Sequence, residues 1–184
     1  MAVYIRSRWK NKENPHSLEE IAGAVAVTAW RISKDKAMHL HGERFTYQND
    51  QQRMDVITEY LYFQVHIVDR LVYDVLEAKE REILIVQLAL KLAEYIQDNS
   101  TDLFGIGDYK NNFITQLNQR NNEYAELSFS DQGPSYSMLR HLGYQIQQFM
   151  GEQAENRWVI DQIMDKDGGA IYQLIARTLQ NLMS

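Results

Sequence analysis

The sequence contains no cysteine, and only two of its 184 residues are proline. The absence of cysteine excludes disulfide bonds, thiol catalysis and zinc–thiolate or iron–sulfur sites. It also fits a reducing compartment, so the cytoplasm is the expected location. Because Pro15 and Pro134 are the only prolines, long helices can run uninterrupted between them.

The chain also lacks an excess of positive charge and a long apolar run. Its net charge of −6 argues against nucleic acid or an anionic membrane as the main partner, because both require a basic surface. The longest mostly apolar stretch, from Ile83 to Ala93, is shorter than the roughly 20 residues that span a bilayer. The first residues contain no apolar region typical of a signal peptide, so secretion by that route is not expected.

Motifs for cofactor or metal binding are missing as well. There is no glycine-rich phosphate loop, no GxSxG and no HExxH. The only Glu-x-x-His match, at residues 13–16, contains a proline, which disfavours a ferritin-like di-iron centre. His39 and His41 diverge by about 200° on a helix, so a surface pair is favoured over a metal site with Glu43. We therefore expect no metal and no cofactor.

One stretch, from Met54 to Leu76, organises the rest of the chain. At about 100° per residue its apolar side chains form two adjoining flanks that together cover an arc of roughly 200°. An ordinary surface helix has a narrower apolar stripe, so this helix needs neighbours on several sides. The pattern predicts an all-α fold: an irregular bundle of six or seven helices around a central buried helix at about residues 48–76. We expect one domain, 1–184, with an N-terminal arm at 1–16.

Helix signals recur along the chain. Ser17 and Glu20 form a capping box before a helix rich in small residues, which lets another helix approach closely. Further helices are predicted from Ile83, from Tyr109 to Leu127, and after Ser135. Asn99–Gly107 is predicted to be a loop that returns Phe104 and Ile106 to the core. The final segment, Ala154 to Met183, is predicted to be either one helix kinked at Gly168-Gly169 or two helices. Its predicted inward positions are Ile160, Met164, Ile171, Ile175 and Leu182.

The N-terminal arm has a different character from the helices. Arg6, Arg8, Lys10 and Lys12 alternate with other residues, among them Trp9. Alternation of this kind indicates either a short strand with one basic side or a solvated tail, and the tail is favoured.

The candidate site lies on the polar arc of the central helix. Tyr62, His66 and Asp69 are three or four residues apart and adjoin on one helix face. Asp69 is placed to hold the His66 imidazole in one tautomer, as carboxylates do for catalytic or metal-bound histidines. The candidate ligand-binding set is Tyr62, His66, Asp69, Arg70 and His141. Glu59 is left out because seven residues separate it from His66, roughly 10 Å along the axis. The alternative, which is favoured, is that the face is packed or solvated.

The leading functional interpretation is a non-catalytic cytoplasmic interaction or adaptor protein that self-associates. It rests on the missing catalytic motifs and on an aromatic content of 11%, since tyrosine and tryptophan are favoured at interfaces. A homodimer or larger oligomer is expected. The competing interpretation is a small-molecule- or metal-binding bundle, possibly an enzyme, that uses the Tyr62/His66/Asp69 face.

Overall fold

The computed structural model describes residues 16–43 and 45–184. The fold is all-α, which confirms the predicted class. The six long helices of the described residues are α1 (Leu18–Gly42), α2 (Asp50–Val72), α3 (Ala78–Phe104), α4 (Tyr109–Ala125), α5 (Tyr136–Met150) and α7 (Gly168–Met183). Except for His16, the predicted arm lies outside the described residues. Within those residues no helix combines the length and the apolar character needed to cross a bilayer.

Short elements connect the long helices. Strands β1 (Phe129–Ser130) and β2 (Gly133–Pro134) form a minimal antiparallel hairpin between α4 and α5. Before α7 the chain forms a 3₁₀ turn at Ala154–Trp158, the one-turn helix α6 at Val159–Gln162 and a π turn at Ile163–Asp167.

Helix α2 is the centre of the bundle. It contacts α1, α3, α4, α5 and α7. Every residue from Glu59 to Val68 is buried, so neighbours cover the polar arc as well as the two apolar flanks. The wide apolar arc therefore predicted the role of this helix correctly. Its observed bounds, Asp50–Val72, lie inside the predicted range of about 48–76.

Side-chain caps fix where the helices begin. Ser17 accepts a hydrogen bond from the Glu20 amide at 3.1 Å, and the Glu20 carboxylate accepts one from the Ser17 amide at 2.7 Å. This is the predicted capping box. Asn49 caps α2 by accepting from the Gln52 amide at 2.9 Å, and Ser135 caps α5 in the same way.

Helix α1 packs against both α2 and α3 through its small residues. Ala22, Ala26 and Ala29 are buried, as expected of a close helix contact. The Trp30 ring lies 5.9 Å from the Tyr95 ring of α3. Gly23, seven residues earlier, borders the side chain of Lys91, which also precedes Tyr95. The earlier residue of α1 contacts the earlier residue of α3, and the later residue contacts the later one. Helices α1 and α3 therefore run in the same direction.

The prediction for the segment after residue 99 was wrong. Helix α3 continues to Phe104, and Phe104 and Ile106 are exposed rather than packed on the core. The Asn99 side-chain amide donates to the Tyr95 carbonyl, so this residue joins the helix instead of ending it. Only four residues, 105–108, remain before α4 begins, and a turn this short does not fold back over the bundle.

The π turn changes which side chains face the core in the last segment. The sequence pattern predicted Ile160 and Met164 as inward positions, but the structure buries Val159 and Ile163, one residue earlier in each case. A π turn holds about one residue more than an α turn, which rotates the preceding turns by one position. Of the α7 positions predicted by the same pattern, Ile171 and Ile175 are buried, but Leu182 is only partly buried and its neighbour Met183 is buried instead.

We expect Gly143→Ala to destabilise the fold by about 1–3 kcal/mol, because overpacking a close contact costs about that much. A Cβ on Gly143 would lie 2.9 Å from Ile160 Cγ1 and 3.2 Å from the Ile160 carbonyl oxygen. Gly23→Ala is the matched control, since its nearest neighbour is the flexible Lys91 side chain at 3.5 Å. Urea unfolding measures both variants. Equal stability of the two would contradict the assigned α5 contact.

Candidate functional site

The polar arc of α2 meets α4 and α5, and its central residues are buried. His66 is 3% exposed, and the Tyr62 ring packs 5.0 Å from the Phe113 ring of α4. The five residues of the candidate set do not form one cluster. Tyr62 packs against Phe113, and the other four fall into three neighbouring groups, organised by Arg120, by Tyr124 and by Arg81.

The first group is an ion pair inside the bundle. Arg120 of α4 donates from Nη2 to Glu59 Oε1 at 2.8 Å and from Nε to Glu59 Oε2 at 3.0 Å. Both side chains are buried. Burial raises the pKa of the Glu59 carboxyl, while the hydrogen bonds and charge of Arg120 act to lower it. The fork of the guanidinium fits the two carboxylate oxygens, which makes this the strongest type of side-chain ion pair.

Arg120 also holds two other side chains. Its Nη1 donates to Glu123 at 3.1 Å, and its Nη2 donates to Gln145 of α5 at 2.8 Å. Glu123 in turn contacts His141 Nε2 at 2.8 Å. Burial acts to raise the pKa of Glu123, but hydrogen bonds from Gln119 and His141, together with the Arg120 charge, outweigh it and lower the pKa. The network therefore joins α2, α4 and α5.

The second group is built on Tyr124. Its ring stacks on His66, with centroids 5.3 Å apart, and meets the His141 ring edge-on at 5.1 Å. Tyr124 is fully buried. The two histidines of the candidate set therefore both pack against one buried tyrosine ring. The sequence placed both histidines on core-facing helices but gave no sign of the ring between them.

His66 is held in its neutral form. Arg70 Nε donates to His66 Nε2 at 3.1 Å, so this nitrogen is an acceptor and carries no proton. Burial lowers the pKa of His66 to about 4, and the positive charge of Arg70 acts in the same direction. A neutral imidazole with one nitrogen already bonded and almost no exposed surface is poorly placed to act as a general base.

Asp69 belongs to the third group and does not orient His66. Its two carboxylate oxygens accept from Nε and Nη2 of Arg81 in α3, both at 2.7 Å. This bidentate pair satisfies the carboxylate better than a single imidazole N–H would. The Arg81 guanidinium also lies 4.6 Å from the centre of the Tyr73 ring. The expected Asp69–His66 contact is thus replaced by Arg70–His66 on one side and Arg81–Asp69 on the other.

Sequence reasoning missed Glu59, Arg120, Glu123 and Tyr124 as members of the polar core. One signal was present: Phe113, Leu117 and Tyr124 mark the apolar stripe of α4, and Arg120 occupies a position within it. A cation in such a stripe requires a buried anion. Glu59 satisfies that need, 61 residues away in the sequence.

A further buried carboxylate was also missed. Asp167 closes the π turn, with Lys36 Nζ at 3.7 Å and the Tyr60 hydroxyl at 3.5 Å. Burial raises the pKa of Asp167, and Lys36 acts to lower it. These long contacts tie the π turn to α1 through the ion pair with Lys36 and to α2 through a weak hydrogen bond from Tyr60.

Two open pockets adjoin these elements. One, of about 230 Å³, is a groove beside the Asp69–Arg81 pair, and the other, of about 550 Å³, lies at the connection between α1 and α2. Neither is lined by Tyr62 or His66. Across the described part of the chain no group of three or more histidine, aspartate or glutamate side chains could hold a metal ion.

Comparisons with protein-family models, with curated proteins and with solved structures find no match for the chain.

We expect Arg120→Met to destabilise the fold by about 3–5 kcal/mol, because it leaves the Glu59 carboxylate buried without a partner. Glu59→Met combined with Arg120→Met should cost less than Arg120→Met alone, since the pair is then replaced by apolar side chains. Urea unfolding of the single and double variants measures the difference. A double variant as unstable as the sum of the single changes would show that the two side chains act independently.

The free energy of unfolding should fall as the pH is lowered, because His66 is protonated more readily in the unfolded chain. Its folded pKa of about 4 lies below the unfolded value of 6.5, so the unfolded chain takes up the proton first. The stabilisation is complete above pH 6.5 and is lost as the pH falls towards 4, by up to about 3 kcal/mol. His66→Gln retains an acceptor for Arg70 without titrating. Parallel curves of unfolding free energy against pH for wild type and His66→Gln would contradict this prediction.

Proposed function

We propose that the chain is a non-catalytic helical interaction protein that self-associates as a homodimer. The observation that supports this proposal is the apolar tip, which we define as Leu103, Phe104 and Ile106. Ile106 is fully exposed, Leu103 is 44% exposed and Phe104 is 36% exposed, all within four residues. Single exposed apolar residues are ordinary, but a contiguous group of large ones is typical of a binding surface.

The turn that presents the apolar tip is held by specific contacts. Gly105 has φ +86°, in the left-handed region where L side chains are strained. Gln97 donates from its amide to the Gly107 carbonyl at 2.9 Å and accepts from the Lys110 amide at 2.9 Å. The Tyr109 hydroxyl donates to the Gly105 carbonyl at 3.2 Å. A surface that is already ordered loses little conformational freedom on binding, which favours affinity.

The polar core supports the non-catalytic part of the proposal. Glu59, Arg120 and Glu123 are engaged with one another, and His66 is bonded to Arg70. Groups satisfied in this way stabilise and specify packing rather than present themselves to a substrate. The net charge of −6 supports a protein partner over nucleic acid. The absence of cysteine supports the cytoplasm as the proposed compartment.

A small-molecule-binding bundle is the second candidate. The groove beside Asp69 and Arg81 favours it, although its volume of about 230 Å³ is below the 300–1,000 Å³ typical of ligand pockets. In this alternative the ligand would reach the Tyr62/His66/Asp69 face of α2 only at Asp69, because Tyr62 and His66 are buried and do not line the groove. A thermal-shift screen separates the two proposals. A ligand that stabilises wild type but not Arg81→Gln would favour the second candidate.

We expect sedimentation velocity to give a species of twice the 21.6 kDa chain mass at micromolar concentration. Ile106→Asp should weaken the dimer about tenfold or more, since burying one Ile side chain contributes about 1.5–3 kcal/mol. Val27→Asp is the matched control, because Val27 is an exposed apolar residue of α1 remote from the tip. Only monomer at high micromolar concentration would overturn self-association. Equal weakening by both substitutions would overturn the role of the tip.

A further inference from the structure

The apolar tip and the larger pocket lie at the same end of the bundle. Helices α1 and α3 run in the same direction and are in contact where Trp30 meets Tyr95. From that contact α1 continues 12 residues to Gly42 and α3 continues nine residues to Phe104, about 18 and 14 Å at 1.5 Å per residue. The α1–α2 connection and the α3–α4 turn therefore emerge side by side.

The side chains that line the pocket at this end are held in place by specific contacts. It measures about 550 Å³, and Met38, His41, Tyr47 and Arg53 are among its lining residues. The His41 and Tyr47 rings stack nearly parallel, 5.8 Å apart. The Tyr47 hydroxyl donates to the Ala37 carbonyl at 2.8 Å, which fixes that ring against α1. Met38 is 66% exposed at the pocket, so the lining offers apolar surface to an incoming group.

The shapes of the two features are complementary. The tip projects, with Ile106 entirely outside the bundle, whereas the pocket is open and concave. The pocket volume lies within the range of sites that enclose a ligand of several non-hydrogen groups, and it exceeds what one isoleucine side chain requires. Methionine adapts its shape to an apolar neighbour, so Met38 can pack against Ile106 or Phe104.

Their charges are also complementary. Three exposed aspartates flank the tip: Asp98, Asp102 and Asp108. Arg31 and Lys34 lie on the same exposed face of α1 as Met38, seven and four residues before it. Asp35 and the exposed Glu43 reduce the positive charge at this end, and Arg53 pairs with Asp50, so the positive charge that faces the negative tip is that of Arg31 and Lys34. Opposite charges at the rim orient an encounter more than they add affinity.

We propose that the apolar tip of one copy enters the α1–α2 pocket of a second copy, and that the same contact forms in return. Because tip and pocket share one end of each molecule, a two-fold axis can join two copies through both contacts at once. Such an interface is closed and limits assembly to a dimer. This inference rests on the proposed self-association and identifies the surfaces that would form it.

Disulfide cross-linking tests the contact directly, since the chain has no cysteine to interfere. Full-length Ile106→Cys and Met38→Cys proteins are mixed, oxidised and separated without reductant. The control mixture is Ile106→Cys with Val27→Cys. Val27 is exposed on the same face of α1 as Met38 but about 16 Å away along the axis, beyond the roughly 7 Å between Cα atoms that a disulfide bridges.

We expect the Ile106/Met38 mixture to give a mixed disulfide at least several-fold faster than the control. If the wild type is dimeric but the two mixtures react equally, the tip does not bind in the pocket. That result contradicts this inference but not the proposed self-association. If the wild type is only monomeric, both proposals fail. If either cysteine variant loses the dimer, Asp102→Cys with His41→Cys gives the same readout from flanking positions. Failure of that pair to exceed its own Val27→Cys control overturns the inference.

Discussion

The Arg120 guanidinium is the group on which the assembly of the bundle depends. It lies inside the protein, where an unpaired charge is costly, and three surrounding side chains satisfy it: Glu59 from α2, Glu123 from its own helix and Gln145 from α5. Apolar side chains can shift slightly against one another, but the bidentate hydrogen bonds between Arg120 and Glu59 allow little displacement. The ion pair therefore fixes the position of α4 along α2, and its bond to Gln145 does the same for α5.

The same constraint explains why a helix with so many titratable groups shows no open catalytic arrangement. The three central titratable groups of α2 are all in contact with a neighbouring helix. Glu59 is held by α4, Asp69 is held by α3, and His66 is stacked beneath Tyr124. The polar contacts of the arc therefore fix where the neighbouring helices pack on α2.

Local signals made much of this architecture predictable. The two apolar flanks of Met54–Leu76 foretold a helix with neighbours all round, because helical periodicity depends only on residues within a few turns. The Ser17–Glu20 box and the Ser135 cap were readable for the same reason, since each hydrogen bond spans three residues. The candidate site was less accessible. Asp69 pairs with Arg81 of α3, a partner that sequence spacing does not reveal, whereas the His66–Arg70 hydrogen bond spans only four residues of α2 and was within reach of local spacing.

The π turn in the last segment accommodates one residue more than a regular helical turn. Periodicity placed its inward residues one position too late before Asp167, because the π turn holds an extra residue that no local motif announces. In terms of chain length, the π turn behaves like a regular helix with one residue inserted. Helix α7 keeps its docking on α1 and α2, while the residues before the turn rotate by one place and bury Val159 and Ile163 instead of their successors. A residue gained or lost in this turn would therefore change which side chains before it face the core, without changing the register of α7.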